Sequence, residues 1–286
     1  MSPQRPQDLV FTLYGEYFLH REGSVWVGSL ITMLEQFGMS EASVRTVLSR
    51  MTRKGWLNAN RKGRNSFYDL SEKGRSLLEE GEARIFHPSW DGPWDGNWFL
   101  LSYSIPEIRR HLRDRLRDRL AWLGFGSLGN GLWISPHDVE SKVMGAARHL
   151  GIEDNLECFR GHRVGSRAPT QIVERCWDLP ALNEKYQVFV DRWLPHLDTC
   201  RAAVESGALD HRLCFTLRFR LLHEFRSFPL EDPYLPRSLL PADWVGMRAS
   251  NLFRTLHDLL EGPADTYLDE ILSNAPSTPA TAGGVV

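Results

Sequence analysis

A run of basic side chains near the N-terminus constrains the fold and function of this chain more than any other feature. Seven arginines and lysines fall between Arg45 and Arg64, and no acidic residue appears from Ala42 to Tyr68. The 286-residue chain has a formal net charge of −2, so this basic run is a local concentration and not a result of composition. A positive segment inside a near-neutral chain is typical of a surface that contacts nucleic-acid phosphates.

The apolar residues of the same run predict a helix followed by two short strands. Ser40 is suited to cap the helix, and Gly55 is suited to end it. The helix would bury Val44, Val47, Leu48 and Met51. Strands are predicted at Trp56-Leu57 and Ser66–Leu70, with a loop over Asn60–Asn65. Helix, strand, basic turn and strand in this order indicate a winged helix-turn-helix.

Three further helices surround this run. Apolar spacing predicts helices over Asp8–His20, Val27–Phe37 and Ser71–Phe86. A linker rich in Gly, Pro and Trp follows over His87–Gly96. We therefore assign residues 1–90 to a winged-helix DNA-binding domain.

The middle of the chain alternates strands and helices. The predicted elements are a strand at Asn97–Ser104, a helix at Glu107–Trp122, one or two short strands in Gly124–Ile134, a helix at His137–Leu150 and a strand at Asn155–Val164. Strand, helix, strand, strand, helix, strand is the ferredoxin-like order. Residues 91–170 are predicted to form such a domain, of the type also found in small CRISPR-associated nucleases.

The remainder of the chain is predicted to be helical. Helices are expected over Leu182–Leu197, Arg201–Gly207, Ala208–Phe225 and Val245–Leu260, with a proline-rich connection over Pro229–Trp244. Residues 171–272 would form a helical C-terminal domain for effector binding or dimerisation. Residues 273–286 would be a disordered tail. The predicted fold class is α+β.

Composition excludes several classes of protein. Four cysteines without a CxxC pair disfavour a zinc ribbon and a disulfide framework. The first residues do not resemble a signal peptide, and no apolar run approaches the ~20 residues that span a bilayer. We therefore expect a cytoplasmic protein that does not contact a membrane. A pI near 6.6 is unlike that of proteins that coat DNA through charge alone.

Three segments of the chain, in the same order, resemble the PaaX family, repressors of phenylacetic acid degradation operons. They begin with GSLITMLEQFGMSEASVRTVLSRMTRKGW, FLLSYSIPEIRRHL and LLHEFRSFPLEDPYLPRSLLPADWVG. The likeness extends over roughly residues 8–268. It implies a homodimeric transcriptional repressor that an aryl-CoA thioester, typically phenylacetyl-CoA, releases from double-stranded operator DNA.

The candidate DNA-binding residues lie on the outer face of the third helix and on the predicted wing. Recognition helices enter the major groove by their N-terminal half, and arginine can bridge guanine O6 and N7. Wing cations suit phosphate or the minor groove. The set comprises Ser43, Arg45, Thr46, Ser49, Arg50, Arg53, Arg61, Lys62 and Arg64.

A second basic cluster lies on the predicted helix over Glu107–Trp122. It contains Arg109, Arg110, Arg113, Arg115, Arg117 and Arg119, and Asp114 and Asp118 are interleaved with them. Charges of mixed sign at this spacing are typical of a solvated face. Contact with a ligand phosphate or with flanking DNA is the alternative.

The effector candidates lie in the C-terminal part. Arginine suits the phosphates of CoA, and aromatic walls suit an aryl group. The candidates are Arg218, Arg220, His223, Arg226 and Trp244. An alternative is that Arg226 pairs with Asp232 to hold a loop, while Phe215, Phe219 and Phe225 belong to the core.

No catalytic motif is found. The chain lacks HExxH, GxSxG and a Walker loop, so we expect no enzyme activity, no metal site and no cofactor. The glycines of GFGSLGNGLW suit turns between short strands better than a nucleotide loop. Two alternatives stay open: a regulator that senses another acid or acyl-CoA, and a metal-dependent nuclease or RNA-processing protein using Asp91 and Asp95.

Overall fold

The computed structural model describes residues 5–87, 93–166 and 168–276, which form a mixed α+β protein with two antiparallel sheets. The elements in chain order are α1 (Pro6–Tyr17), β1 (Val25–Trp26), α2 (Val27–Glu35), α3 (Glu41–Arg53), β2 (Leu57–Lys62), β3 (Asn65–Leu70), α4 (Glu72–Phe86), β4 (Asn97–Tyr103), α5 (Arg110–Trp122), β5 (Gly126–Gly129), β6 (Leu132–Ser135), α6 (Glu140–Leu150), β7 (Leu156–His162), α7 (Thr170–Cys176), α8 (Leu179–Glu205), α9 (His211–Phe225), α10 (Phe228–Glu231) and α11 (Gly246–Ser273).

The first three helices bury the apolar stripes that predicted them. In α1, Leu9 and Leu13 are 4% and 0% exposed. Gly38 follows α2 with φ +80°, a left-handed conformation that glycine adopts without strain. The backbone amide of Ser43 donates a hydrogen bond to Ser40 Oγ at 3.3 Å, so the predicted cap of α3 is confirmed.

The β2–β3 hairpin is longer than the sequence predicted. Its antiparallel register runs from Leu57 opposite Leu70 to Lys62 opposite Asn65. The loop predicted over Asn60–Asn65 is therefore wrong, because only Gly63 and Arg64 separate the strands. Gly63, with φ +63°, permits this two-residue turn, and pairing continues up to it. β1, which was not predicted, pairs with the other edge of β3.

The second sheet has the strand order β5-β6-β4-β7, and all neighbouring pairs are antiparallel. One of its faces is covered by α5 and α6, where Phe99, Leu101, Leu116, Leu120 and Val143 share one buried cluster. The glycine-rich segment forms the turn between β5 and β6, with positive φ at residues 129, 130 and 131. The interpretation as turn residues is confirmed for Gly129 and Gly131, whereas Gly126 begins β5 and Gly124 follows α5.

Two of the C-terminal helices, α8 and α11, are longer than predicted, whereas α9 starts at His211 instead of Ala208. The two helices expected over Leu182–Leu197 and Arg201–Gly207 are one helix, α8, which continues through Pro195. Its buried side chains keep helical spacing across the proline, so packing outweighs the lost backbone hydrogen bond. In the same way α11 runs through Pro263 to Ser273. Helix α7 was not predicted.

The chain divides into two compact units, and each is assembled from separate segments of the sequence. The first unit contains the residues up to Phe86, Trp193–Phe225 and the residues from Asn251 onward. The second contains His87–Arg192 and Arg226–Ser250. The described part of the chain has no helix that is long and apolar enough to span a membrane. Residues 277–286 of the predicted disordered tail lie outside the described residues.

Candidate nucleic-acid interface

Helix α3 presents a polar outer face because its inner face is anchored in the core. Val44, Leu48 and Met51 are each 0% exposed, and Val47 is 3% exposed. This stripe turns the intervening polar residues toward solvent. Ser43 is half-buried, whereas Arg45, Thr46, Ser49, Arg50 and Arg53 are exposed.

The arginines of α3 differ in their surroundings. Glu41 Oε1 accepts a hydrogen bond from Arg45 Nε at 2.8 Å, one helical turn away. Arg50 and Arg53 form no ion pair with any described residue. Glu41 lies one residue before the acid-free run that starts at Ala42. The absence of acids within that run therefore did not reveal the partner of Arg45. Arg50 and Arg53 are therefore the α3 cations most available to an external anion.

The hairpin supplies a second group of exposed cations. Arg61 and Lys62 end β2, and Arg64 lies in the turn. Lys62 Nζ lies 5.3 Å from the centroid of the Phe67 ring, which restrains its side chain. Arg61 and Arg64 have no acidic partner within the described parts of the chain. We call the nine candidate residues of α3 and this hairpin the α3–hairpin surface.

Two lysines beside this surface were not among the candidates. Lys54 Nζ and Lys73 Nζ lie 4.8 Å and 5.7 Å from the Trp56 ring centroid. Lys73 Nζ also donates to the backbone carbonyl of Lys54 at 3.2 Å. The sequence feature that indicates them is Trp56, which directly follows the basic helix and is half-buried in the structure. The face of an indole ring attracts cations such as these lysines.

The arginines of α5 are set among acids, as the spacing predicted. Arg110 Nε lies 3.7 Å from Asp114 Oδ2, and Arg113 Nη1 donates to Glu107 Oε2 at 2.9 Å. The Arg113 guanidinium lowers the pKa of Glu107 and is itself held charged. This helix therefore presents alternating charges to solvent.

Three effector candidates lie in the first unit, on α9. Arg218 is 5% exposed, and its Nε forms an ion pair with Glu16 Oε1 at 2.7 Å. Arg220 is exposed, and no ion pair joins it to a described residue. His223 Nδ1 lies 2.7 Å from the hydroxyl of Thr12. The guanidinium of Arg218 is thus already engaged inside the protein.

The other two candidates, Arg226 and Trp244, lie in the second unit. Trp244 is 7% exposed and packs edge-on against Tyr186, with 5.6 Å between ring centroids. The Tyr186 hydroxyl donates to Asp232 Oδ2 at 2.7 Å, and burial together with this carboxylate raises the pKa of Tyr186. Asp232 also accepts a hydrogen bond from the Tyr234 amide at 2.6 Å. The five candidates are therefore divided between the units.

Phe215, Phe219 and Phe225 are core residues, with 0%, 1% and 2% exposure. The interpretation that assigned them to the core is confirmed. They are not part of an exposed aromatic wall on α9.

The acidic residues considered for a nuclease do not form a metal site among the described residues. Asp95 accepts hydrogen bonds from the Asn97 side chain, the Asn97 amide and Arg160, at 3.0, 2.8 and 2.8 Å. These donors lower the pKa of Asp95 to about 2. A metal ion at Asp95 would have to displace Arg160. Within the described ranges, no three His, Cys, Asp or Glu side chains are grouped so that they could hold a metal ion. Asp91 lies outside them.

Exposed cations on a helix and hairpin, four of which form no ion pair with a described residue, are typical of a nucleic-acid-binding protein. Comparison with known families makes the class more specific. Residues 5–74 match the family described as PaaX-like protein, residues 91–173 match the PaaX protein central Cas2-like domain, and residues 177–270 match the PaaX-like protein C-terminal domain. The chain belongs to the PaaX family.

A relative and a solved structure extend these matches over nearly the whole chain. The transcriptional repressor PaaX of Escherichia coli is 35% identical over 274 residues, which cover 94% of this chain and 84% of the relative. An uncharacterised protein of Mycobacterium tuberculosis has a similar fold, with a TM-score of 0.58, 22% identity and coverage of 94% and 98% of the two chains. The family membership and the likeness to the E. coli repressor indicate that the protein is a transcriptional repressor.

Proposed function

We propose that the protein binds double-stranded operator DNA as a winged helix-turn-helix repressor, with α3 in the major groove and the β2–β3 hairpin as its wing. The observation that carries the proposal is the row of exposed cations without acidic partners at Arg50, Arg53, Arg61 and Arg64. Such side chains can replace the condensed counterions of DNA without first breaking an internal ion pair. The order α1, α2, α3, β2, β3 supports this assignment.

Within this surface we assign different roles to helix and hairpin. The N-terminal part of α3 carries Ser43, Arg45 and Thr46 toward base edges, followed by Ser49 and Arg50. Arginine there reads guanine by two hydrogen bonds, whereas serine and threonine are permissive. Arg61, Lys62 and Arg64 neutralise phosphate, which fixes the register of the protein on the duplex without reading sequence.

We assign a ferredoxin-like fold to the central domain. Its support is the element order β4, α5, β5, β6, α6, β7 and the strand order β5-β6-β4-β7. The family description of this segment as Cas2-like agrees with the assignment. No observation favours nuclease activity, because Asp95 is already bound to Arg160.

The protein is proposed to act as a homodimer that controls genes of phenylacetate breakdown and is released by phenylacetyl-CoA or a related aryl-CoA. The support is its membership of the PaaX family and its likeness to the E. coli repressor. Release requires that the ligand prefer a dimer whose two α3 helices no longer match half-sites ~34 Å apart, or a multiple of that distance. Shifting an operator from 99% bound to 99% free takes about 5.5 kcal/mol of differential ligand affinity.

The effector contacts are proposed for each unit by itself, at Arg220 and His223 in the first unit and at Arg226 and Trp244 in the second. Arg218 stays a candidate, although it would first have to leave Glu16. Another acid or acyl-CoA could occupy the same residues, because arginine recognises the phosphates that all CoA esters share.

Fluorescence anisotropy tests the proposal directly. The DNA upstream of the protein's own and neighbouring genes is titrated alone, with phenylacetyl-CoA, with free CoA and with phenylacetate. We expect tight binding that only the thioester relieves. Binding that is indifferent to all three compounds would reject the effector, and the absence of sequence-specific binding would reject the DNA-binding proposal.

A further inference from the structure

We propose that α9 and α11 position the recognition helix α3, so that operator reading depends on residues far from the DNA-binding segment in sequence. The inference rests on the proposed function, since it concerns how firmly α3 is held for base readout. Three groups of contacts within the first unit support it. They are an aromatic stack, a glutamine hydrogen-bonded at both ends of its amide, and a buried charged cluster.

The aromatic stack lies at the connection between α2 and α3. The ring of Phe37 stacks on Phe219 of α9, with 3.7 Å between centroids and 17° between planes. Phe219 is 1% exposed, so its ring is a fixed support. Ser40, the cap of α3, follows Phe37 by three residues. The place where α3 begins is therefore set by a residue of α9.

Gln36 ties the same connection to both C-terminal helices. Its Nε2 donates to the hydroxyl of Tyr267 on α11 at 2.8 Å, and its Oε1 accepts from Arg212 Nε of α9 at 3.2 Å. Both polar ends of one amide side chain are thus engaged. Rotation of the α2–α3 connection would break both hydrogen bonds.

The charged cluster fixes α1, which packs against α3. Glu16 Oε1 of α1 lies 2.7 Å from Arg218 Nε and 2.9 Å from His257 Nε2 of α11, and Arg218 Nε donates a hydrogen bond to His257 Nε2 at 3.3 Å. The three side chains are only 2%, 6% and 9% exposed. A buried carboxylate is costly unless all its partners are in place, so the cluster favours one register of α1 against α9 and α11.

These contacts act on base readout more than on general DNA affinity. Hydrogen bonds to base edges require α3 at a fixed depth and angle, whereas attraction to phosphates tolerates displacement. Loosening the C-terminal support should therefore weaken operator binding and leave binding to unrelated DNA nearly unchanged. A residue that acts only through overall stability would not separate the two affinities.

The test uses full-length Phe219→Leu and Tyr267→Phe. Tyr267→Phe removes only the hydroxyl that Gln36 contacts, so it keeps the test decisive if Phe219→Leu folds poorly. Phe189→Leu is the matched control, because Phe189 is 0% exposed and packs edge-on against Phe228 in the second unit. Dissociation constants are measured for the upstream duplex and for a shuffled duplex, together with the melting temperature of each variant.

We expect Phe219→Leu to weaken binding to the upstream duplex about tenfold, which corresponds to about 1.4 kcal/mol. Tyr267→Phe should weaken it about threefold, and both variants should bind the shuffled duplex within twofold of wild type. Phe189→Leu should lower the melting temperature without changing either affinity more than twofold.

Two results separate failure of this inference from failure of the proposed function. Upstream binding that is unchanged in both variants, or weakened as much by Phe189→Leu, overturns the inference alone. A wild-type protein that cannot distinguish the two duplexes overturns the proposed function and the inference with it.

Discussion

The α3–hairpin surface and α5 are both rich in arginine, but their cations have different surroundings. Arg50, Arg53, Arg61 and Arg64 form no ion pair among the described residues. On α5, by contrast, Arg110 and Arg113 lie within ion-pair distance of acids. The exposed Arg115 and Arg117 form no ion pair with a described residue, but they share their helix with Asp114 and Asp118. The available charge, meaning the positive charge left after nearby acids are counted, therefore separates the α3–hairpin surface from α5 more clearly than the number of arginines does.

The largest difference between the two regions is expected when the β2–β3 hairpin loses its positive charge. Replacing Arg61, Lys62 and Arg64 together with alanine should weaken DNA binding by roughly a hundredfold at 0.15 M salt, for operator and random DNA alike. Three lost phosphate contacts should also make the slope of log affinity against log salt shallower by about 2.7. Anisotropy titrations at several salt concentrations measure both quantities.

The salt slope distinguishes lost contacts from misfolding in this variant. A partly unfolded protein would show a lower active fraction with an unchanged slope. An unchanged slope together with unchanged affinity would mean that the hairpin does not reach the phosphates.

A smaller and more selective effect is expected at Arg50. Its replacement by alanine should weaken operator binding about tenfold and relax the preference at one base pair, because a bidentate contact contributes about 1–3 kcal/mol of discrimination. Binding to operators with single base substitutions measures the change.

Arg50→Lys is the matched control, since it keeps the charge but loses the two-pronged geometry. Lysine should preserve the salt slope and lose most of the base preference. Equal discrimination by arginine and lysine at this position would place Arg50 on phosphate instead of on a base.

The regions that sequence predicted well are those governed by local patterns. The stripe of Val44, Leu48 and Met51 and the cap at Ser40 depend on neighbouring residues, and the structure confirms both. The order of strands and helices from β4 to β7 also follows from local periodicity. The extent of the hairpin was wrong, because a two-residue turn at Gly63 lets pairing continue.

What sequence could not predict depends on residues distant in the chain. Arg218 and Glu16 are 202 positions apart, and only the fold shows that they pair. Arg218 therefore looked like a free cation near an aromatic segment. The continuity of α8 also could not be predicted from local sequence. Proline tends to end a helix, but the buried side chains on both sides of Pro195 outweigh that tendency.

The smallest effect is expected on α5, and it is the most direct test of the comparison. Arg115→Ala with Arg117→Ala removes two exposed arginines, nearly the charge removed by the wing variant, from a helix that also carries Asp114 and Asp118. Because the acids already reduce the local positive potential, operator affinity should change less than twofold. The slope of log affinity against log salt should change by less than about 0.5. The reverse substitution, Asp114→Asn with Asp118→Asn, should raise affinity for random DNA a few-fold by unmasking the arginines. A tenfold loss of operator affinity in the double alanine variant would instead extend the DNA interface to α5, and available charge would then not be what separates the two regions.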